Sequence, residues 1–435
     1  MNESQSSRKG KVVLFCEPPV SLMSGQSVTA HHYRSQQFVD LLKAHEVPLV
    51  IVSINRSIEK PCSRKTVSGT SEYWEVNDCM RGWRSVLRKS LREEQLNAAI
   101  GCMLQGALLA RSMVRELPLW VDFYGDPLIE KLGQDLHYGN QYGTLAARWR
   151  LRQVLAVADR FSVCSEAQKS LLVGALLYSG RIDFRNVQLP LVNTFMYLSE
   201  SRAGQKKKSS RPARTKKTPV TILYNGSVNT WTDVAFLSDV LAEVLVARPG
   251  VRFVQFGKNI IHKEHLDSFR KFSEKKEIKQ RAQFLGEVTE EQAKELYRRS
   301  HICINADIDT LETRFGWRTR YIRAITEGLV VVSTLGNDLA AMLAMDGIGL
   351  FSRIGDNKAF VKNLLLLIDD VSAWKQLSRK GIRYIAERSQ DDLQFETLLQ
   401  WVDNPRKLES PTDSVALIRN IGTYLRWPLL GRLMK

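Results

Sequence analysis

The chain has 435 residues, a length typical of two domains that each bury their own hydrophobic core. Hydrophobic residues make up 44% of the chain and charged residues 25%, which excludes an intrinsically disordered or collagen-like protein. The formal net charge of +17 predicts an anionic partner.

The excess positive charge lies in three short segments that contain no acidic residue. Residues 201–219 hold eight Lys and Arg, residues 80–92 hold five and residues 415–435 hold four, so the rest of the chain is neutral in sum. The first segment is too polar to be buried, which predicts a flexible linker. The other two have the pattern of basic amphipathic helices, which predicts binding to an anionic membrane surface, with packing on the protein as the alternative. Without a helix-turn-helix, zinc-finger or RNP motif, we expect no nucleic-acid partner.

Three features bear on the cellular compartment. Residues 1–10 are polar and lead directly into a strand-like segment, so we expect no secretion signal. A run of about 18 apolar residues, as a membrane-spanning helix requires, is lacking. The six cysteines are scattered without CxxC spacing, which favours buried thiols over a zinc site. These features predict a cytoplasmic protein, peripheral on the inner face of the plasma membrane.

The first half of the chain alternates between strand and helix patterns. Residues 11–16 and 48–54 are β-branched runs typical of buried strands, and residues 33–44 between them have helical periodicity. Residues 119–123 and 159–164 predict further buried strands. Such alternation predicts a parallel sheet that is covered by helices on both faces.

The same alternation begins again after the basic linker. Residues 220–224 and 252–256 are strand-like, and residues 233–246 between them form an apolar helical stripe. Two more strands, at 302–304 and 329–333, flank a helix over residues 318–327 that Gly328 would end. The expected fold class is therefore α/β, with two Rossmann-like, doubly wound domains facing a cleft.

Polar clusters follow three strands of the second half. The turn from Asn225 to Asp233 contains Gly226 and could place a phosphate at a helix N-terminus, although a capped strand-turn-helix explains it as well. The next strand ends in Gly257 and Lys258, a glycine turn beside a positive charge. Residues 310–320 combine Glu312 with three arginines before a helix, which favours a diphosphate and sugar site over a solvated helix start.

The order of these motifs resembles that of a known family. Residues 226–233, then Glu312-Thr313-Arg314-Phe315 with Arg318-Thr319-Arg320, then the Gly328-Leu329 step resemble the donor half of GT-B glycosyltransferases similar to glycosyltransferase family 4. Residues 120–127 and 161–166 look like the strand-end motifs of that family's acceptor half. The resemblance spans about residues 11–395.

The resemblance implies an enzyme that moves a sugar from a nucleotide-sugar donor to a glycan or lipid-linked acceptor. It implies a hexosyltransferase that retains the anomeric configuration, needs neither metal nor cofactor, and acts in surface polysaccharide or glycolipid synthesis. The implied domain boundaries are 1–199 for the acceptor-side domain, 200–218 for the basic linker, 219–395 for the donor domain and 396–435 for a C-terminal crossover or amphipathic tail.

The resemblance also implies the site residues. Those implied to be catalytic are Glu312, Arg318, Tyr124 and Asp122. Those implied to bind the donor are Gly25, Ser27, Gly226, Asn229, Trp231, Asp233, Lys258, Thr313, Arg314 and Arg320.

The sequence departs from the family at several of these positions. Tyr124 stands where the family commonly has His, and Ser227 and Thr232 stand where it has Arg and Lys. Arg323 takes the place of a ribose-binding Glu. The alternative hypothesis is therefore a catalytically degenerate GT-B scaffold, a binding partner at the membrane.

Two further patterns suggest other chemistry. Asp307-Ile308-Asp309 has the spacing of a metal-binding DxD motif, but its position deep in the second half disfavours a metal site. His31 and His32 follow the first strand, and adjacent histidines point in different directions, so at most one of them is expected to face a ligand.

Overall fold

The computed structural model describes residues 10–408 apart from residues 24, 69–70, 197–213, 216–217, 258–262, 277 and 389–392. Lys258, nearly all of the predicted linker and the predicted C-terminal amphipathic segment 415–435 lie outside the described residues.

The N-terminal domain is built on an eight-stranded sheet with strand order β3-β4-β2-β1-β5-β6-β7-β8. The strands are β1 (Lys11–Phe15), β2 (Leu49–Ile54), β3 (Cys62–Ser68), β4 (Ser71–Val76), β5 (Leu96–Cys102), β6 (Leu119–Phe123), β7 (Arg160–Val163) and β8 (Val192–Thr194). The helices are α1 (Ala30–Ala44), α2 (Trp83–Glu93), α3 (Met103–Met113), α4 (Pro127–Tyr138), α5 (Tyr142–Leu155) and α6 (Glu166–Tyr178), with a 3-10 turn at Val20–Leu22.

The C-terminal domain has a six-stranded parallel sheet with strand order β11-β10-β9-β12-β13-β14. The strands are β9 (Thr221–Asn225), β10 (Arg252–Phe256), β11 (Ala282–Phe284), β12 (Ile302–Asn305), β13 (Val330–Leu335) and β14 (Leu350–Arg353). The helices are α7 (Val234–Ala247), α8 (Lys263–Glu274), α9 (Glu290–Arg299), α10 (Leu311–Phe315), α11 (Thr319–Thr326), α12 (Asp338–Met345), α13 (Asn357–Asp369) and α14 (Val371–Arg388). A 3-10 turn at Leu393–Phe395 leads into α15 (Glu396–Asp403).

The predicted pair of doubly wound α/β domains is confirmed. Residues 12–15 of β1 are fully buried, as expected for a central strand covered by helices on both faces. One edge of the first sheet differs from the prediction, because β3 pairs antiparallel with β4. The polar sequence of β3 concealed it, since an edge strand carries charged side chains that keep it from pairing further.

The last described helix returns to the first domain. Phe395, Leu398 and Trp401 are buried among side chains of the N-terminal core, and the Trp401 ring lies 5.5 Å from the ring of Trp120. Residues 395–402 therefore follow the C-terminal domain in the sequence and pack on the N-terminal domain.

The structure corrects the predicted membrane contact at residues 80–92. Trp83, Leu87 and Leu91, which form the apolar stripe of α2, are buried in the N-terminal core. The helix thus presents its basic side chains to solvent and has no apolar face left for a bilayer. The spacing of apolar residues is the same for packing and for membrane binding, so the sequence could not separate the two. Among the described helices, none is long and apolar enough to cross a membrane.

Candidate active site

A cavity of about 400 Å³ lies in the cleft between the two sheets, and both domains line it. The N-terminal domain contributes the loop before α1, the start of α1 and the residues after β6. The C-terminal domain contributes the turns after β9 and β10 and the segment from α10 to α11. The sequence-predicted residues that line it are Ser27, Tyr124, Gly226, Asn229, Trp231, Glu312, Arg318 and Arg320.

Arg318 is the most constrained side chain of the cavity. Its guanidinium donates to the two carboxylate oxygens of Glu312 at 3.1 and 2.9 Å and to Asp307 Oδ2 at 3.0 Å. It also lies 5.4 Å from the centre of the Trp231 ring. Burial raises the pKa of Glu312 above its usual value, although the neighbouring Arg318 charge acts in the opposite direction. Two carboxylates thus fix the orientation of Arg318 and offset its charge.

Arg320 has different partners. It donates to the side-chain oxygen of Asn305 at 3.1 Å and to the Ser227 carbonyl at 3.3 Å, and it lies 5.0 Å from the centre of the Tyr224 ring. All three are neutral groups. No carboxylate of the described residues forms an ion pair with Arg320, so its positive charge is available to an anion in the cavity.

Two glycine turns stack beside Arg320. Gly226 and Gly257 have φ of +102° and +121°, which only glycine adopts readily. A Cβ at Gly257 would lie 2.3 Å from the carbonyl carbon of Gly226, and one at Gly226 would lie 3.6 Å from Arg320 Nη2. The backbone therefore approaches the cavity closely next to an uncompensated cation, an arrangement suited to a phosphate group.

Comparison with known proteins identifies the class of this site. The family model of glycosyl transferases group 1 matches residues 219–370, which include the glycine turns and the arginine cluster. Residues 219–370 form a glycosyl transferases group 1 domain. The predicted fold and the predicted class of enzyme, a hexosyltransferase, are thereby confirmed.

Solved structures of similar fold cover both domains of the chain. The chain is similar to sucrose-phosphate synthase from Thermosynechococcus elongatus, with a TM-score of 0.65, 12% identity, and 91% of this chain and 99% of the other covered. It is also similar to α,α-trehalose 6-phosphate synthase from Burkholderia multivorans (TM-score 0.59, 11% identity, 95% and 98% covered). A trehalose-6-phosphate protein from E. coli bound with UDP-2-fluoro glucose gives a TM-score of 0.59 at 10% identity, with 92% and 100% covered. These likenesses establish the GT-B fold over both domains. No curated protein sequence matches the chain.

Several predicted donor residues of the glycosyltransferase have structural partners. Asp233 caps α7 by accepting from the Phe236 N–H at 3.0 Å, and it borders a neighbouring groove. Thr313 is fully buried and donates to the Ile308 carbonyl at 2.7 Å. Both side chains hold loops of the C-terminal domain in place, and neither lines the cleft cavity.

Two other predicted donor residues, Arg314 and Gly25, lie outside the cavity. Arg314 is exposed and forms a two-bond ion pair with Asp309, with both N–O distances at 3.1 Å. Gly25 is exposed at φ +68° and does not line the cavity, although Ser27 of the same loop does. The structure thus separates Arg314 from the two arginines that it places in the cleft.

Asp122 lies in the core of the N-terminal domain. It is fully buried, its two carboxylate oxygens accept from Arg34 at 2.6 and 2.9 Å, and Oδ1 also accepts from Ser162 Oγ at 2.6 Å. The predicted catalytic contact is corrected on this geometry, because a carboxylate enclosed by protein groups does not reach a ligand. Its position supports α1 and the strand that carries Tyr124.

Tyr124 lies where the domains meet. Its hydroxyl donates to Thr319 Oγ1 at 2.7 Å, and burial raises its pKa. The ring of His31 stands edge-on to it at 5.9 Å and also lines the cavity. His32 instead accepts from the Thr29 N–H at 2.8 Å and caps α1. One histidine of the pair thus faces the cleft, and the other has a local structural role.

The sequence did not indicate Glu290 as a site residue. Its carboxylate accepts from Arg323 at 2.6 and 3.0 Å and from the Tyr33 hydroxyl at 2.6 Å, and it lines the cavity. Burial raises the pKa of Glu290 to about 7. Residues 289–292 have the sequence pattern of an ordinary capping box, and they form one. The one sequence signal for another carboxylate was that Arg323 stands where the family has a Glu.

The DxD-like aspartates do not face each other. Asp307 pairs with Arg318, and Asp309 pairs with Arg314. In the part of the chain that the structure describes, no group of three or more His, Cys, Asp or Glu side chains is placed to hold a metal ion.

A second cavity, of about 690 Å³, lies in the N-terminal domain next to the cleft. The two cavities share His31, Met103 and Glu130. Met103 adopts φ +61°, a strained conformation for a residue other than glycine, at the start of α3. The sequence prediction contained none of this, because a strained methionine carries no sequence signal.

Proposed function

We propose that this glycosyltransferase transfers a sugar from a nucleotide-sugar donor to a glycan or lipid-linked acceptor in surface polysaccharide or glycolipid synthesis. We further propose that it retains the anomeric configuration and requires no divalent metal. The observation that carries the proposal is Arg320, a cation without a carboxylate partner among the described residues, beside the Gly226 turn in a cavity lined by both domains.

In this proposal the arginines act on the leaving group. When the bond between sugar and nucleotide breaks, negative charge develops on the departing diphosphate, and fixed donors stabilise it best in a site that excludes water. Arg320 supplies the uncompensated charge, and the N–H groups at the start of α11 add the positive end of a helix dipole. Arg318 contributes less charge, because Asp307 and Glu312 neutralise it.

Carboxylates then bind the hydroxyl groups of the donor. Glu312 accepts hydrogen bonds from the transferred sugar, and it must share its oxygens with Arg318 to do so. Glu290 supplies the carboxylate for the ribose that the family's Glu would provide at Arg323, and Arg323 fixes its orientation. In this arrangement the ion pairs of Glu312 with Arg318 and of Glu290 with Arg323 orient both acceptors before the donor arrives.

Proposed metal independence rests on the charges already present. The carboxylates with metal-ligand spacing, Asp307 and Asp309, are each paired with an arginine. In this proposal Arg320 supplies the positive charge that a divalent cation would otherwise supply to a diphosphate. We expect activity to persist in excess EDTA.

The second cavity is the proposed acceptor site. It combines apolar side chains (Ile54, Leu104, Leu108 and Leu109) with charged ones (Glu17, Glu130, Arg56, Lys131 and Arg150). Such a mixed lining suits an acceptor with apolar and anionic parts, as a lipid phosphate has. The shared residue Met103 would then stand between donor and acceptor.

Isothermal titration calorimetry with UDP-, GDP- and TDP-sugars tests the proposal. Saturable heat with one of them is expected, unchanged by EDTA, and NMR of the product should show the same anomeric configuration as in the donor. The absence of saturable heat with every donor would favour the degenerate scaffold, and the opposite configuration in the product would refute retention.

A further inference from the structure

The hairpin formed by α4 and α5, here called the α4–α5 hairpin, is a rigid projection of the N-terminal domain. Asp126 caps α4, and Gly139 ends it at φ +66°. The Asp135 carboxylate then accepts from the backbone N–H groups of Gly143 and Thr144, at 3.2 and 2.6 Å, which fixes the start of α5. Its surface is therefore presented in a fixed orientation.

Helix α5 has two apolar stripes where a surface helix needs one. One stripe packs on the N-terminal domain through its buried residues Thr144, Ala147, Leu151, Val154 and Leu155. Because successive residues turn by about 100°, Tyr142, Leu145 and Trp149 form the other stripe on the opposite side. Their side chains are 81%, 52% and 66% exposed. An apolar stripe on the solvent side indicates a second partner.

Positive charge flanks the exposed stripe on both sides. Arg148 and Arg152 lie along one edge and Arg150 along the other, and all three are exposed. None of them pairs with an acidic side chain of the described residues, and no acidic residue occurs between Asp135 and Asp159. Aromatic and aliphatic side chains bordered by arginines are the composition of a helix that lies in the interface of an anionic bilayer.

The exposed stripe also adjoins the second cavity. Ala146 and Arg150 of α5 and Lys131 of α4 line that cavity. A bilayer seated on the stripe would therefore lie at the rim of the cavity.

We propose that the α4–α5 hairpin docks the protein on an anionic lipid bilayer, with Tyr142, Leu145 and Trp149 in the interface and the three arginines at the lipid phosphates. Docking would present the second cavity to an acceptor anchored in the same bilayer; this last step rests on the proposed function, whereas the docking itself does not. This surface differs from residues 80–92, whose apolar stripe is buried.

A second exposed apolar group on the same domain provides a matched control. Tyr178 and Phe184 are 98% and 89% exposed, more than any residue of the α5 stripe. Their neighbouring cations are neutralised, because Arg185 pairs with Asp183 and the buried Arg181 pairs with Asp159. Exposure alone would favour this group, whereas charge complementarity favours the hairpin.

Flotation of the full-length chain with phosphatidylcholine vesicles, with and without phosphatidylglycerol, tests the proposal. The wild type should float with the anionic vesicles and lose binding as salt is raised. The triple variant Arg148→Ala, Arg150→Ala, Arg152→Ala should lose roughly a hundredfold in partitioning, since each basic residue near an anionic surface contributes about a factor of five. Leu145→Glu with Trp149→Glu should abolish flotation, and Phe184→Glu should float like the wild type.

Several outcomes would overturn the proposal. These are a wild type that floats with neither vesicle, hairpin variants that float normally, and a loss of binding in Phe184→Glu equal to that of the hairpin variants. If the wild type is a dimer in solution, a loss of dimer mass in the Leu145→Glu with Trp149→Glu variant, without a change in flotation, would assign the stripe to a second copy of the chain. Thermal unfolding of the same proteins shows that they are folded. A folded wild type that floats with anionic vesicles but binds no sugar nucleotide would refute the proposed function and leave the docking surface standing.

Discussion

The guanidinium of Arg318 binds both carboxylate oxygens of Glu312, at 3.1 and 2.9 Å, although both residues are proposed to serve the donor. Asp307 holds the same guanidinium from another side at 3.0 Å. Removal of the Arg318 side chain would leave the buried Asp307 and the partly buried Glu312 without this counter-ion, and breaking a buried ion pair typically costs about 3–5 kcal/mol. Loss of activity in an Arg318→Ala variant would therefore report on folding as well as on catalysis, so Glu312 and Arg320 are the sharper targets.

We expect Glu312→Gln to reduce kcat by about 10²-fold or more with little change in the unfolding temperature. The amide oxygen can still accept from Arg318, and Asp307 still holds that side chain, so the local fold should persist. Initial rates and thermal unfolding check this. Asp309→Asn is the matched control, because Asp309 is exposed and pairs only with Arg314 among the described residues. A kcat of the wild-type size in Glu312→Gln would remove Glu312 from the site, and a large loss in Asp309→Asn would revive the DxD metal hypothesis.

Arg320→Gln should weaken binding of the sugar nucleotide by about 10- to 100-fold, because a charge-assisted hydrogen bond contributes about 1.5–3 kcal/mol. The Gln side chain removes the cation, and the groups it leaves, Asn305 and the Ser227 carbonyl, are neutral. Calorimetry gives the affinity directly. Arg314→Gln is the control, since this exposed arginine lies outside the cavity and should leave the affinity unchanged. Equal losses in both variants would mean that only the overall charge matters and would contradict the assignment of Arg320.

Local patterns were enough to predict the strands and the arginine cluster. The carboxyl ends of parallel strands lie at the same edge of a sheet. The segments that follow β9 and β12 are therefore close together, independently of their side chains. Arg318 and Arg320 are two residues apart in the sequence, yet one faces Glu312 and the other faces Asn305. The sequence predicted that both lie near the donor, but it could not show that carboxylates neutralise only one of them.

The roles of Asp122 and Glu290 could not be predicted from the sequence, because they depend on contacts between distant residues. Asp122 pairs with Arg34, which is 88 residues away, and Glu290 pairs with Arg323, which is 33 residues away. No local periodicity records such partners. The exposed stripe of α5 was missed for another reason. Residues 80–92, 201–219 and 415–435 already account for the whole net charge of +17, so the three arginines of α5 were passed over.

The native protein should contain one rapidly reactive thiol. The sequence predicted buried cysteines, and Cys16, Cys102, Cys164 and Cys303 are buried, but Cys79 is exposed and Cys62 is partly exposed. Burial raises the pKa of both Cys16 and Cys303 to about 12, so hardly any reactive thiolate forms there at pH 8. Titration with a thiol reagent should give one fast equivalent, a slower second one, and the other four only in denaturant. Cys79→Ser should remove the fast phase, and fast reaction of more than two thiols in the native protein would contradict the packing of these strands.

Asp122→Asn should lower stability and leave the chemistry intact. Asp122 is fully buried and accepts from Arg34 and Ser162, so the neutral amide keeps the shape and loses the charge opposite a buried guanidinium. Loss of a hydrogen bond to a charged group costs about 1.5–3 kcal/mol, whereas Asp122→Ala, which leaves Arg34 unpaired, should cost about 3–5 kcal/mol. Thermal unfolding gives the order of the two variants, and kcat measured well below both transitions should stay within about twofold of the wild type. The opposite pattern, an unchanged unfolding temperature with kcat lowered by about tenfold or more, would restore Asp122 as a catalytic residue and require the N-terminal domain to open around it during turnover.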